Sequence, residues 1–208
     1  MRKRMLKARL YGIVDTGYVE VGGVVAMTEQ LCLAGVDVIQ LRAKGRAVDE
    51  VQRLAGELLA VTRDHGIPMV VNDHPQVAAS VGSDGVHVGQ DDLSVAETRQ
   101  IVGPDCFVGK STHSREQAMA AVAEGADYIG FGPLYATGTK PDYTPIGLDD
   151  IRWVHERATC PVFCIGGVNL DRLPEIVEAG ANRVVIVSAL LQSKDAIAYV
   201  ANVKQCLG

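Results

Sequence analysis

Eight short apolar runs rich in β-branched residues recur along this chain, at Leu10–Val14, Val36–Leu41, Pro68–Val71, Gly85–Val88, Cys106–Val108, Tyr128–Phe131, Val162–Ile165 and Val184–Val187. Between them lie stretches with apolar residues at three- and four-residue spacing, among them Asp49–Asp64, Val95–Ile101, Arg115–Ala123, Leu148–Glu156, Asp171–Ala179 and Asp195–Gln205. Strands that read as near-continuous apolar runs are buried on both faces, as in a parallel sheet covered by helices. Eight such units predict an α/β fold of the closed (β/α)₈ TIM-barrel class. An open doubly wound sheet usually has fewer strands and a glycine fingerprint after the first. The text after the first run, Asp15-Thr16-Gly17-Tyr18, lacks it.

Glycine marks the joints. Gly35, Gly66, Gly82, Gly125 and Gly180 each follow a helical stretch and precede a strand, the place of a helix C′ residue. Ala34-Gly35-Val36-Asp37, Glu124-Gly125-Ala126-Asp127 and Ala179-Gly180-Ala181-Asn182 also echo one another, as repeated βα units would. With 208 residues, 48% of them hydrophobic, the chain is expected to form one domain over 1–208. The basic run within 1–9 (Arg2, Lys3, Arg4, Lys7, Arg9) reads as a solvated N-terminal extension.

A net charge of −5 argues against a nucleic-acid or anionic-membrane partner, either of which requires a cationic face. No apolar stretch follows the basic run as in a secretory signal, and none is long enough to span a bilayer. The expectation is a soluble, cytoplasmic protein. The five cysteines show no zinc spacing and no C-x-x-C pair, which fits a reducing compartment. Cys160 and Cys164 are expected on one face of the seventh strand as inert packing residues.

Polar clusters recur just past the apolar runs, so a barrel would gather them on its C-terminal rim. Arg42 and Lys44 alternate with Leu41 and Ala43 and share a side with Gln40. A fork and a point charge on one face suit a diphosphate, although a solvated strand end has the same look. Asp73, beside Asn72, and Asp92 lie one βα step apart, where two carboxylates could share Mg²⁺. Taken alone they read as helix caps; taken with the neighbouring cations, the metal site stands level with that reading. Pro133–Pro145 is long for a connection and holds Thr137-Gly138-Thr139-Lys140, which makes it a candidate lid or a plain surface excursion. Gly166-Gly167 and Ser188 follow the last two strands, where barrels often place a phosphate. His113 is a candidate acid or base and Ser111 a candidate anion ligand. His65, His74, His87 and His155 read as structural or solvated. No nucleophilic triad is legible.

As an ordered set these segments resemble thiamine-phosphate synthase, from Leu10-Tyr11-Gly12-Ile13-Val14-Asp15 to Val187-Ser188-Ala189. The matched segments include Gln40–Lys44, Asn72-Asp73, Asp84–Asp92, Gly109–His113, Gly132–Lys140 and Ile165–Val168. The resemblance implies a barrel that joins 4-amino-2-methyl-5-hydroxymethylpyrimidine diphosphate to 4-methyl-5-(2-phosphoethyl)thiazole, or its carboxylated form, releasing pyrophosphate. It implies that Gln40, Leu41, Arg42, Ala43, Lys44, Asn72, Ser111 and Lys140 hold the pyrimidine diphosphate, with Arg42, Lys44 and Lys140 catalytic. Asp73 and Asp92 would hold Mg²⁺, while Thr137, Gly138, Thr139, Gly167, Val187 and Ser188 would hold the thiazole phosphate. Expected partners are these two small substrates, with a second copy of the chain as a candidate homodimer mate. Two departures stand out: Lys110 replaces the family's usual aliphatic residue, and His74-Pro75 follows Asn72-Asp73. Lys110 resembles the basic residue of the related thiazole tautomerases, so a tautomerase using His113 is the second reading. A non-catalytic thiamine-phosphate binder is the third.

Overall fold

The computed structural model describes residues 2–138 and 144–208. Eight parallel strands close into a barrel in chain order: β1 (Leu10–Asp15), β2 (Val38–Arg42), β3 (Met69–Asn72), β4 (Gly85–Val88), β5 (Phe107–Thr112), β6 (Tyr128–Phe131), β7 (Val162–Cys164) and β8 (Val184–Ile186). The last strand pairs with the first in the register Leu10↔Val184. Alternation along each strand sorts the side chains into two cores. Tyr11, Val38, Val70, Phe107, Tyr128, Phe163 and Val185 fill the barrel. Leu10, Val14, Ile39, Leu41, Val86 and Val88 turn outward under the helices.

The helices are α1 (Arg2–Lys7), α2 (Val24–Ala34), α3 (Val48–Asp64), α4 (Pro75–Val81), α5 (Val95–Val102), α6 (Arg115–Ala123), α7 (Ile151–Arg157), α8 (Leu173–Glu178), α9 (Ser188–Leu191) and α10 (Ala196–Leu207). None of those described is long and apolar enough to cross a membrane. All five joint glycines have positive φ, from 65° at Gly66 to 114° at Gly180, as their place after helices demands. The helix α2 escapes a periodicity search because its apolar residues run nearly all round. Leu31 and Cys32 are buried while Leu33 is exposed.

The basic N-terminal run is not a solvated extension. It forms α1, and Met5, only 1% exposed, packs with Tyr11, Val38 and Phe163 to close the N-terminal end of the barrel. Burying such a side chain contributes roughly 1.5–3 kcal/mol. Its cations fasten the plug at the edges: Arg4 donates to the Gly66 carbonyl, and Arg9 to the carbonyls of Gly208 and Asn182.

The sequence echo also has a structural reason. Asp37, just before β2, accepts the backbone N–H of Arg9 and Leu10, each at 2.9 Å. Asp127, just before β6, accepts that of Val108 at 2.9 Å, and Asp84, before β4, that of Met69 at 3.0 Å. Three even-numbered strands thus begin with a carboxylate that ties down the start of the strand before it. This satisfies N–H groups that the ladder leaves open.

Candidate functional site at the C-terminal rim

A cavity of about 280 Å³ opens at the C-terminal end of the barrel. Its floor is a hydrogen-bonded string across the barrel interior. The Gln40 amide donates to the Tyr11 hydroxyl at 2.9 Å, Tyr11 meets the Tyr128 hydroxyl at 3.0 Å, Tyr128 meets His87 Nδ1 at 3.1 Å, and His87 Nε2 meets Ser111 Oγ at 2.9 Å. Gln40 donates at one end, and hydroxyl and imidazole groups that can both donate and accept link it to Ser111 at the other. Phe163 packs edge-on against Tyr11 and Tyr128, with centroids 5.4 and 5.8 Å away. Burial pushes both phenols up, Tyr128 well above its ordinary value, so the floor carries no phenolate.

The first half of the rim, over β1–β4, is charged. Arg42 lines the cavity and bonds the buried Asp15 at 2.5 Å, while Asp15 also accepts the Gly17 N–H at 2.9 Å. Lys44, 61% exposed, stands 3.7 Å from Asp73. Asn72 lines the cavity, but Leu41 and Ala43 turn into the core under the helices. A ligand in the cavity can meet those two only through their backbone.

Neither Asp73 nor Asp92 is the N-cap residue of a helix. The helix α4 begins at His74-Pro75 without a side-chain cap, and α5 is capped by Ser94 in a capping box with Glu97. Asp73 sits instead at φ 63°, a conformation an aspartate rarely adopts, with its N–H on the His87 carbonyl at 2.9 Å. Asp92 accepts the Gly89 N–H at 2.6 Å. Two carboxylates therefore stand past adjacent strand ends. Among the described residues no group of three metal-ligating side chains forms.

The second half of the rim is built differently. Ser111 and His113 line the wall, and His113 Nδ1 meets the Gly132 carbonyl, which requires the proton on Nδ1. Gln90 donates to the Ser111 carbonyl. Lys110 alternates with Ser111 and is buried outside the barrel, where it pairs in register with Val88 and Ile129. It does not reach the cavity. Thr137 and Gly138 do, together with Gly167, Val187 and Ser188. Thr139 and Lys140 lie outside the described residues. The start of their loop is tied to β7, Leu134 N–H to the Ile165 carbonyl at 2.8 Å and Tyr135 N–H to the Gly166 carbonyl at 3.1 Å.

Gly166 and Gly167 have φ of 96° and 68°. A Cβ on Gly166 would fall 2.4 Å from Pro133 Cα, and one on Gly167 would fall 2.8 Å from Tyr135 Cβ. The pair is thus needed to seat this loop, whatever anion it also admits.

His87 belongs to the site, contrary to its reading as structural or solvated. Its signal was available: it alternates with Val86 and Val88, so in a barrel it must point inward. Tyr11 and Tyr128 are inward for the same reason. Arg172, which lies in no matched segment, also lines the cavity, and Asp15, at the end of the matched Leu10–Asp15, joins the site through Arg42. The cysteines stay out of it. Burial raises Cys32 and Cys160 to about 11, and Cys106 and Cys164 to about 12, which keeps them as unreactive thiols. Cys160 lies just before β7 and packs against the same outer core cluster that holds Cys164.

Residues 10–190 match the family profile described as thiamine monophosphate synthase. A thiamine-phosphate synthase of Shouchella clausii is 41% identical over 188 residues, covering 90% of each chain. One of Acidothermus cellulolyticus is 44% identical over 197 residues, 94% of this chain and 92% of that one. Among solved structures, a thiamine phosphate pyrophosphorylase of Pyrococcus furiosus superposes with a TM-score of 0.87 at 28% identity, over 99% of this chain and 96% of that chain.

Proposed function

The chain belongs to the thiamine monophosphate synthase family, whose members at this level of similarity are transferases, and from that premise we propose that it couples the pyrimidine diphosphate to the thiazole phosphate. The observation that carries the reading is one cavity with Arg42 on one wall and Arg172 among the glycines and hydroxyls of the other, which suits two anionic substrates meeting head to head; Lys44, Asp73 and Asp92 stand outside its lining.

In this reading the thiazole nitrogen forms a bond to the pyrimidine's methylene carbon as the carbon–oxygen bond to the diphosphate breaks. The departing electron pair stays on pyrophosphate. Loss of the diphosphate runs ahead of attack, and the pyrimidine's amino group supports the cation left behind. Arg42, Lys44 and Lys140 would stabilise the charge that develops on the leaving group. Asp73 and Asp92 would hold Mg²⁺, which when bound neutralises diphosphate charge. Asp15 keeps the Arg42 fork aimed at the cavity, and the Gln40-to-Ser111 string holds the Ser111 hydroxyl toward the pyrimidine. No protein nucleophile is required, in keeping with the absent triad. The carboxylated and decarboxylated thiazoles are both candidate substrates.

The test is pyrophosphate release with both phosphorylated substrates and saturating Mg²⁺. Stoichiometric pyrophosphate and thiamine phosphate are expected. If the protein instead isomerises carboxylated thiazole phosphate and releases no pyrophosphate, the tautomerase reading, favoured by His113 in the cavity wall, replaces it. His113→Ala should then cost about 10²–10⁴-fold, the usual loss on removing a general acid or base. For the synthase it should cost less than about tenfold.

A further inference from the structure

The geometry points to Arg172 as the cation that reads the phosphate of the thiazole substrate; the inference rests on the synthase reading above. A phosphate monoester carries about −1.5 to −2 charges at pH 7. Enclosing that charge among neutral donors alone is costly, because the water it leaves is replaced by dipoles without a counter-charge. The groups assigned to this phosphate, Thr137, Gly138, Thr139, Gly167, Val187 and Ser188, carry no formal charge. The cations that the resemblance implies for the substrates, Arg42, Lys44 and Lys140, all belong to the diphosphate.

Arg172 lines the same cavity as Thr137, Gly138, Gly167 and Ser188. Its side chain is already oriented. Nη1 donates to the Gly167 carbonyl at 2.9 Å, and the guanidinium carbon lies 4.3 Å from the centre of the Tyr135 ring. The Tyr135 hydroxyl in turn donates to Glu175 at 2.5 Å, which fixes the ring under the guanidinium. The backbone N–H of Arg172 bonds Asn169 Oδ1 at 3.0 Å, so the stem is held as well. Among the described residues no carboxylate lies within ion-pair distance of this guanidinium. A guanidinium has five N–H donors in a planar fork that matches phosphate oxygens, and one bond to Gly167 leaves most of that fork available. A stacked arginine also loses little freedom on binding, since its orientation is set beforehand.

The alternative is that Arg172 only braces Gly167 and Tyr135. Calorimetry on the full chain separates the two, using 4-methyl-5-(2-phosphoethyl)thiazole and its dephosphorylated alcohol as ligands. Arg172→Gln should weaken binding of the phosphate ester by about 10- to 100-fold, the usual range for a charged hydrogen bond, and leave the alcohol within about twofold. Arg172→Lys should recover part of the loss, and the KM for the pyrimidine diphosphate should stay within about threefold in both. Tyr135→Leu, which keeps the charge and removes the stacking, should give an intermediate loss confined to the ester. It also serves as the second probe should Arg172→Gln melt early. Equal loss for ester and alcohol, or undiminished ester affinity in a folded Arg172→Gln, overturns the inference. If the unaltered protein releases no pyrophosphate, the synthase reading fails instead, and the inference falls with it.

Discussion

Along β1–β4 the rim of the barrel is built from side chains carried on strand ends, whereas along β6–β8 a glycine-rich backbone seats Thr137, Ser188 and Arg172. The first half presents Arg42, Lys44, Asn72, Asp73 and Asp92, each placed by strand alternation or by the first residues past a strand. The second presents a glycine pair at φ 96° and 68°, packed so closely on Pro133 and Tyr135 that neither position has space for a Cβ. Gly132 shows the same crowding, since a Cβ there would fall 2.1 Å from the Ile165 carbonyl oxygen. Side chains of the first half can therefore be altered with the fold intact, while at the glycines of the second half binding geometry and folding are the same thing.

The double variant Asp73→Asn/Asp92→Asn is the hardest test of that contrast. Turnover should fall by about 10³-fold, as expected when several kcal/mol of charge stabilisation are lost, with an unchanged melting curve. Undiminished Mg²⁺-dependent turnover would remove the metal from the charged half. Gly166→Ala should act in the opposite manner. A positive φ and a clash with backbone together should cost roughly 3 kcal/mol of stability, visible in denaturant unfolding, and thiazole affinity should fall with it. A variant of normal stability that lost only affinity would show the two halves to be built alike.

Smaller effects sharpen the division. Lys44→Ala should weaken pyrimidine diphosphate binding by about tenfold or somewhat more, and thiazole phosphate hardly at all. Equal losses in calorimetry would contradict the split. Tyr128→Phe removes the hydroxyl that joins Tyr11 to His87 beneath both halves. It should lower stability by about 1 kcal/mol, read as a lower urea midpoint at constant m, and disturb both substrates to the same small degree. A loss confined to one substrate would assign the floor to that half.

The strands were legible because burial on both faces leaves an uninterrupted apolar run. β4 and β6 have the bounds their composition predicts. β5 runs on to Thr112, beyond the apolar run, because each polar residue at its end has a place to go. Ser111 bonds His87, and Thr112 Oγ1 donates to the Gly130 carbonyl at 2.9 Å. The N-terminal helix was not legible: five cations in nine residues outweigh one methionine in any reading by composition, yet the methionine is what the barrel mouth encloses. His87 and Tyr11 fell within matched segments but carried no role there, and Tyr128 fell in none; their inward parity acquires meaning once the sheet is known to close.

By itself the sequence determined the order and direction of the strands, the glycine joints and the family, because hydrophobic periodicity, turn chemistry and ordered motifs are local properties of the chain. Only the tertiary structure decided what meets what. Asp15 holds Arg42 across one strand pair, Lys110 turns outward although its neighbour Ser111 turns in, and Arg172 comes into the same wall as Thr137 and Ser188. These are contacts between residues distant in sequence or choices of face, and they are fixed by closure of the barrel and the parity of each strand within it.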